Sequence, residues 1–409
     1  MARRTLATLL LCLLFAVGCT PVATQKTEAP PPQAQAETPP PPPAPEPAPI
    51  HARILAVGDL LMHTPLVYSS QTGTDQWDFK PLFEPVRPWI EGADFALADL
   101  ETTLTGKDYP WAGYPSFNTP PDFARDVKAI GFDMVVNANN HALDYSEFGL
   151  KQTADNLDRW GLPHTGTNRT ADEREVIKVM DVAPGLKMAV LSYTYGTNGV
   201  PLPQPWSVNM LDEVQIRSDV RRARQLPGVD LVGVALHFGQ EYAREPDEEQ
   251  ERWVQLTLEA GADIIFGDHV HVLQKMETRQ VRDEFGRDLK RAVVFSLGNF
   301  ISNQVGLYRE AGIMFLVDVK KEKGVTTVEQ VSFVPTWVHP YTVGAQKRYR
   351  VVAVEKAMQD YEAGRDPLIT AADYARLKEV WADTTKHVVG SADVAILHAD
   401  RPVTLAGTK

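Results

Sequence analysis

Apolar residues occur along most of the chain in short runs, and these runs are separated by stretches with apolar positions at helical spacing. Short runs bounded by turn-forming residues are typical of buried strands, and the intervening stretches are typical of amphipathic helices. The predicted core strands are 54–57, 95–98, 134–136, 231–236, 263–266 and 292–295, and the predicted helices are 122–130, 146–160, 211–224 and 247–260. This alternation predicts an α/β core in which the ends of the strands deliver residues to one rim. Residues 188–193, 313–319 and 331–334 are predicted to be further strands that complete a second sheet.

The N-terminal part of the chain lacks this pattern. Residues 1–19 have paired arginines, an apolar run and small residues before Cys19, which is typical of a lipoprotein signal peptide. We expect Cys19 to be lipidated, although a short uncleaved membrane anchor is the alternative, and both export the rest of the chain. Because Thr20 follows Cys19, where an aspartate would retain a lipoprotein at an inner membrane, an outer-membrane or cell-surface location is favoured.

Two further segments flank the predicted core domain, residues 51–340. Residues 20–50 are rich in Pro, Ala, Gln, Glu and Thr, so they predict a disordered, semi-rigid stalk rather than a core; a ligand for a proline-binding module is the alternative. Residues 341–409 are charged, and from Gln346 onward Val351, Val352, Val354 and Met358 would share one side of a helix. We therefore predict a C-terminal helical appendage over 341–409.

Charge and cysteine content limit the function further. The net charge of −12 and the lack of a Lys/Arg block exclude a nucleic-acid surface, which needs clustered positive charge. A polyanionic substrate would therefore have to be bound by metal ions or a local patch. Of the two cysteines, Cys12 lies in the apolar run and Cys19 is assigned to the lipid, so the mature domain must be stabilised by its core.

Polar side chains follow nearly every predicted core strand. Alone, a Gly-Asp after a strand is usually a turn, paired asparagines usually cap a helix, and a single histidine is usually a surface residue. Five separate segments with such groups at corresponding strand ends instead predict a cation that holds them together. The groups are Asp59 and His63; Asp99 and Glu101; Asn139, Asn140 and His141; His237; and Asp268, His269 and His271.

The mixture of carboxylate, amide and imidazole groups suits Mn, Fe or Zn, and the lack of thiolates excludes the usual structural zinc site. So many ligands predict two divalent ions, which can share a carboxylate and a hydroxide. Such a pair acts on both the attacking and the departing oxygen of a displacement. The residues therefore predict hydrolytic chemistry.

The order of these blocks resembles the CapA family of poly-γ-glutamate capsule biosynthesis proteins over about residues 51–339. The blocks are Gly58-Asp59 with His63, Asp99-Leu100-Glu101, Ala138-Asn139-Asn140-His141, His237-Phe238-Gly239, Gly267-Asp268-His269-Val270-His271 and Ser296-Leu297-Gly298-Asn299-Phe300. This family is similar in fold to calcineurin-like metallophosphoesterases. The resemblance implies a two-sheet sandwich flanked by helices, with the metal site at the strand ends.

The resemblance also implies roles for individual residues. Glu101 would bridge the two ions, His141 would be the acid near the leaving group, and Asp59 and Asn299 would belong to the catalytic machinery. Asn299 would orient the substrate or a metal ligand. The implied metal ligands are Asp59, His63, Glu101, Asn140, His237, His269 and His271.

Two functions remain open at this point. The first is an envelope hydrolase that uses a metal-bound hydroxide on a phosphoester or on an amide of a γ-glutamyl or cell-wall polymer. The second is a non-catalytic metal-containing lipoprotein that binds or exports such an anionic polymer together with capsule-synthesis partners. Trp77, Trp111 and Tyr114 lie in loops after early strands, where they would line a substrate groove or serve as local packing.

Overall fold

The computed structural model describes residues 18–19, 27 and 48–399, and Pro47–Lys409 is one compact unit. The strands in chain order are β1 Ile50–Leu60, β2 Gln71–Gly73, β3 Gln76–Trp77, β4 Phe95–Asp99, β5 Met134–Val136, β6 His164–Thr165, β7 Lys178–Ala183, β8 Leu186–Thr194, β9 Leu231–His237, β10 Ile264–Asp268, β11 Met276–Arg282, β12 Asp288–Val294, β13 Asn299–Ile301, β14 Ala311–Glu322, β15 Val325–Val343, β16 Gln346–Ala353 and β17 Val394–Ile396. The α-helices are α1 Thr64–Ser69, α2 Arg87–Gly92, α3 Asp122–Ile130, α4 Ser146–Arg159, α5 Ala171–Glu175, α6 Glu213–Gln225, α7 Glu248–Glu259, α8 Val354–Glu362 and α9 Ala371–His387, and Lys80–Leu82 is a short 3₁₀-helix.

Two large sheets form the core of the unit. The nine-stranded sheet has the order β16-β15-β14-β1-β4-β5-β6, with β13 paired to β1 and β17 paired to β15. The six-stranded sheet has the order β11-β12-β10-β9-β8-β7. Strands β1, β4, β5 and β6 run parallel, as do β8, β9, β10 and β12 in the other sheet. Each sheet therefore has a parallel centre whose strands all end at the same edge.

Alternation along the strands sorts apolar residues between layers, because successive strand side chains point to opposite faces. Ile54 of β1 and Met188 of β8 lie in one buried cluster between the sheets. Their neighbours face outward: Leu55 packs with residues of α2 and α3, and Ala189 packs with residues of α6 and α7. The fold is thus the two-sheet sandwich flanked by helices that the resemblance implied, and the α/β prediction is confirmed.

The C-terminal helical prediction is wrong for residues 346–353. This segment is strand β16, which pairs antiparallel with β15, and the expected boundary at 340/341 falls inside β15. Val351 and Val352 do not share a face; they lie in the outer and the inter-sheet clusters, respectively. Helices α8 and α9 do form, and Leu377 and Val380 of α9 join the inter-sheet cluster. The C-terminal segment therefore completes the core.

The predicted leader and stalk, residues 1–50, lie outside the described residues except at 18–19, 27 and 48–50. Cys19 is exposed and its thiol is free, and its lipidation stays a prediction. No helix within the described ranges combines the length and apolar character needed to cross a membrane.

Candidate metal centre

Strand pairing brings the polar strand ends of both sheets together. In the first sheet Asp59 pairs with Asp99 on one side and with Asn299 on the other. In the second sheet Asp268 at the end of β10 pairs with His237 at the end of β9. All five side chains are buried. The convergence predicted from the strand ends is therefore present in both sheets.

Gly58 allows the end of β1 to lie directly against the loop before β13. A Cβ atom at Gly58 would collide with the carbonyl oxygen of Gly298 and with Leu297. The Asp59 amide lies 3.3 Å from that same Gly298 oxygen. A residue with a side chain at position 58 would push the strands apart, so Gly58 fixes the placement of Asp59 beside Asn299.

Glu101 lies at the centre of the cluster and is fully buried. Its Oε2 is 3.9 Å from His271 Nδ1 and its Oε1 is 3.6 Å from His237 Nε2, so each oxygen faces a different histidine. Neither oxygen has a hydrogen-bond partner among the described residues. Ligand atoms of Asp59, Glu101 and His271 lie within 4.8 Å of one another, as do those of Asp59, Asp99 and His237. Glu101 therefore lies between the two histidines, and its bridging role stays a prediction.

His237 has a mismatch in its hydrogen bonding that a cation would resolve. Burial lowers the pKa of His237 to about 3, so only one ring nitrogen carries a proton. Its Nδ1 lies 2.8 Å from Asp99 Oδ2, and its Nε2 lies 2.8 Å from Asn140 Oδ1. If Nδ1–H donates to Asp99, the lone pair of Nε2 faces the Asn140 oxygen, which is also an acceptor, so no hydrogen bond forms there. Asp99 then orients His237 through Nδ1, as carboxylates commonly orient metal-binding histidines.

His269 and His271 are held in left-handed backbone conformations, with φ of 99° and 59°. Such values are uncommon outside glycine and concentrate at functional sites. His271 Nδ1 lies 2.9 Å from Asp59 Oδ2, and this carboxylate raises the pKa of His271 despite the opposing effect of burial. His269 has a buried Nδ1 without a hydrogen-bond partner among the described residues, and burial lowers its pKa strongly. The His269 ring lies 4.8 Å from the His237 ring and 4.4 Å from the Tyr195 ring.

The buried carboxylates repel one another. Burial, together with Asp59, Asp99 and Asp268, raises the pKa of Glu101 well above its usual range, and burial with Asp59 and Asp99 does the same for Asp268. Oxygens of Asp59, Asp268 and Asn299 also have no hydrogen-bond partner within the described part of the chain. Buried polar atoms are normally paired, so this set of hard oxygens and neutral imidazoles fits a divalent metal ion.

His141 lies at the edge of this cluster, with its Nε2 4.0 Å from Glu101 Oε1. Its Nδ1 lies 2.8 Å from Asp144 Oδ2, and that carboxylate oxygen also accepts a 2.6 Å hydrogen bond from the Phe117 amide. The Phe117 ring packs edge-on against the His141 ring at 4.6 Å. His141 is therefore held with Nε2 directed toward the carboxylates.

The structure places the predicted residues as follows. Asp59, Glu101, Asn140, His141, His237, His269, His271 and Asn299 are all buried. Of these, Asn299 donates from Nδ2 to Arg309 O at 3.0 Å, and Asn140 Nδ2 donates to Asn198 Oδ1 at 3.2 Å. His63 belongs to neither ligand group: its Nδ1 lies 3.2 Å from the Leu61 carbonyl oxygen and 3.3 Å from the Asn303 amide nitrogen, and its ring packs edge-on against Phe117 at 5.2 Å. Its role as a ligand stays a prediction.

Asp99, Asn139 and Asp268 were predicted as polar groups at strand ends but were given no individual role, and Asp144 and Tyr195 were not predicted. Asp99 and Asp268 end strands as Asp59 does, so the strand-end pattern brought them into the site. Asn139 donates to Asp99 Oδ1 at 3.0 Å, and Asp144 follows His141 by three residues in a turn. The contacts of Asp144 and Tyr195 depend on loop geometry, which leaves no sequence signal.

The family model described as bacterial capsule synthesis protein PGA_cap matches residues 53–304, more than half of the chain. Capsule biosynthesis protein CapA of Bacillus anthracis is 29% identical over 259 residues, covering 61% of this chain and 59% of that protein. PGA biosynthesis protein CapA of Bacillus subtilis (strain 168) is 27% identical over 262 residues, covering 61% and 62%. The chain thus spans about three fifths of the length of these relatives. A crystal structure of a novel phosphatase from Mycoplasma pneumoniae aligns at a TM-score of 0.40 and 12% identity, over 70% of this chain and 93% of that one.

The matched range contains the whole cluster around Glu101, from Asp59 to Asn299. The chain belongs to the PGA_cap family of bacterial capsule synthesis proteins.

Proposed function

We propose that this protein is a metal-dependent hydrolase of the cell envelope that acts in the biosynthesis of a capsule or of poly-γ-glutamate. The observation that carries the proposal is Glu101, whose two buried, unpartnered oxygens face His237 and His271 and adjoin His141. Membership of a capsule synthesis family supports the biological setting. The hydrolytic chemistry is inferred from the side chains alone.

The residues divide into two groups that would each hold one ion. Asp59, Glu101 and His271 form the first, and His237 with Asn140 and Glu101 forms the second, with His269 beside it. Divalent ions such as Mn, Fe or Zn would activate water and polarise the bond to be cleaved when bound there. Glu101 would be shared, because its oxygens face opposite histidines.

His141 would act as the general acid. Its Nδ1 is fixed by Asp144, so Nε2 is the nitrogen that faces the carboxylate cluster and can give a proton to the departing group. Asp144 would be a positioning residue, since its hydrogen bond with Nδ1 holds the orientation of the His141 ring. Asn299, with Oδ1 unpartnered and Nδ2 donating to the Arg309 carbonyl, would orient a ligand or substrate near Asp59.

An anionic substrate agrees with the surroundings of His271. The Tyr242 ring lies 6.2 Å from the His271 ring, and the exposed Arg309 guanidinium lies 5.4 Å from the Tyr242 ring. Arg309 would attract a phosphoester or a γ-glutamyl carboxylate to the centre despite the net negative charge of the chain. Poly-γ-glutamate or another anionic envelope polymer is thus the proposed substrate, with capsule-synthesis proteins as partners.

We also propose that the protein is exported and anchored by a lipid at Cys19 to the outer membrane or cell surface. A Cys19→Ser variant should then be released from the membrane fraction, and incorporation of a labelled fatty acid should be lost. Retention of the label in this variant would contradict the anchor.

The test of the hydrolase combines metal analysis with turnover, using the detergent-solubilised full chain. Wild type should contain divalent metal and hydrolyse bis-p-nitrophenyl phosphate or a γ-glutamyl amide, whereas His269→Ala should lose both. His51→Ala, which changes an exposed residue of β1, is the matched control and should keep both. Metal retained without turnover on any ester or amide would instead favour a metal-containing, non-catalytic polymer-binding protein.

A further inference from the structure

A second cavity, outside the candidate metal centre, has a volume of about 420 Å³ and an aromatic lining. Ligand pockets typically enclose about 300–1,000 Å³, so the cavity is large enough for a small organic ligand. Trp77, Trp111 and Trp160 contribute to its wall, and Trp77 and Trp111 pack edge to face at 5.3 Å. The aromatic surface continues along the same loop, where Tyr109 is exposed and packs on Phe148 at 5.6 Å.

Buried side chains hold the walls of this cavity in place. Asn118, which is fully buried, donates to the carbonyls of Gly106, Tyr109 and Pro110 at 3.2–3.3 Å and accepts from the Thr105 amide at 2.9 Å. These bonds fix the loop over residues 105–111, which forms one side of the cavity.

The other two walls are fixed in the same way. On the side of α4, Asn156 donates to Leu104 O at 2.7 Å. On the side of β3, Arg125 donates to Trp77 O at 2.9 Å. The cavity is therefore preformed, which lowers the entropy loss of ordering its walls around a ligand.

The lining offers hydrogen-bonding groups that the protein leaves unused. The side chains of Gln152 and Asp108 make no hydrogen bond with any other described residue, and the Arg159 guanidinium lies 5.7 Å from the Trp160 ring. These side chains supply an amide, a carboxylate and a guanidinium, which are donors and acceptors of different kinds. A ligand with many hydroxyl groups, each able to donate and accept, matches this mixture.

The charges of the lining exclude a polyanion. Asp75 pairs with Lys107 at 2.8 Å, and Asp122 pairs with Arg125 at 2.7 Å. The remaining two charged residues of the lining, Asp108 and Arg159, have opposite signs. The cavity therefore has no excess positive charge that could bind a chain of carboxylates. Indole surfaces beside side chains that offer hydrogen bonds but no excess positive charge instead fit pyranose rings, whose C–H faces pack on aromatic rings while their hydroxyls bond at the edges.

We propose that this cavity binds an uncharged oligosaccharide, as a site separate from the metal centre. The loop that forms it also carries Phe117, whose ring contacts His141, so the two sites lie on opposite ends of one loop. The proposal does not depend on hydrolase activity.

The test is a titration of the full chain with chitotetraose, cellotetraose and maltotetraose, followed by tryptophan fluorescence and by saturation-transfer NMR of the sugar protons. At least one should bind saturably at millimolar concentration or below. Trp111→Ala should weaken that binding by about tenfold, and Trp206→Ala, a half-buried tryptophan outside the cavity, should leave it unchanged. Circular dichroism of each variant checks that it folds.

Gln152→Ala provides a second measurement if Trp111→Ala does not fold, since it changes only a half-buried position on α4. It should weaken binding by about three- to tenfold. Absence of saturable binding by all three sugars would overturn the proposal. Sugar binding that neither variant weakens would also overturn the proposal. The proposal would likewise be overturned if poly-γ-glutamate, but none of the sugars, quenched the tryptophan fluorescence and this quenching required Trp111.

Discussion

Glu101→Gln should have opposite effects on stability in the metal-free and the metal-loaded protein. Glu101 is fully buried, neither of its oxygens has a hydrogen-bond partner among the described residues, and three more buried carboxylates surround it: Asp59, Asp99 and Asp268. Without metal, a neutral amide of nearly the same shape removes one negative charge from this group. With metal, the same change removes a shared ligand.

The magnitude follows from the buried charge that the amide removes, because an amide would leave a buried oxygen unpartnered as well. One pKa unit corresponds to about 1.4 kcal/mol, so at neutral pH the metal-free variant should be more stable than wild type by at least about 1 kcal/mol. The pKa of Glu101 is raised in the folded state above its ordinary value of 4.5. Protonated Glu101 therefore contributes fully to the stability of the folded state below pH 4.5, and this contribution is lost as the pH rises. The difference in unfolding free energy in favour of Glu101→Gln should accordingly grow from pH 4.5 upward. At a metal concentration of about 1,000 times Kd, wild type gains about 4 kcal/mol, and the order should reverse.

The measurement is urea unfolding at several pH values, with EDTA and with excess Mn²⁺. Glu147→Gln is the control, because it changes a half-exposed glutamate outside the cluster that pairs with Lys151 at 2.7 Å, and its effect should stay within about 0.5 kcal/mol in both conditions. The reasoning is refuted if Glu101→Gln is less stable than wild type in EDTA, or if Mn²⁺ stabilises both proteins equally.

Three further predictions concern catalysis, packing and pH. His141→Asn should lower kcat by about 10²–10⁴-fold. Asp144→Asn should lower kcat less and leave the metal content unchanged. Steady-state kinetics and metal analysis measure both effects, and loss of metal in Asp144→Asn would contradict a positioning role. Gly58→Ala should destabilise the protein by more than about 3 kcal/mol in urea unfolding, because the added Cβ meets the backbone of Gly298; near-native stability would show that the two segments can separate. Metal affinity should rise with pH, because the pKa of Glu101 is raised and binding to its carboxylate must release a proton. Calorimetry in two buffers of different ionisation enthalpy measures this release, and a pH-independent Kd would argue against Glu101 as a ligand.

The sequence allowed most of the parallel core to be predicted, because buried parallel strands are short continuous apolar runs. Helix α3 coincides with its predicted range, and β5 does as well. Strand β16 was missed because an apolar run such as Val351-Val352-Ala353-Val354 suits both a helix and a strand. Its pairing with β15 decides the outcome, and that contact lies outside any local window. Helix α8 begins only at Val354, directly after the last residue of β16 that pairs with β15.

The candidate metal centre was predictable to the extent that its residues lie at or just after strand ends. Asp59, His237 and Asp268 lie at strand ends, and parallel pairing alone brings each beside its neighbours. Asp144 and Tyr195 were not predictable, because their contacts depend on turns whose geometry is set by packing. The left-handed conformations of His269 and His271 were not predictable either, because histidine adopts positive φ more often than most residues but the sequence does not show at which positions it does so.

The division of ligands between the sheets links assembly of the site to folding. Asp59 and Glu101 follow strands of the nine-stranded sheet, whereas His237, His269 and His271 follow strands of the six-stranded sheet. Neither sheet alone contains both Glu101 and the two imidazoles, His237 and His271, that face its oxygens. The cluster therefore forms only when the two sheets pack through the apolar layer between them, and a metal that binds this cluster stabilises that packing rather than either sheet alone.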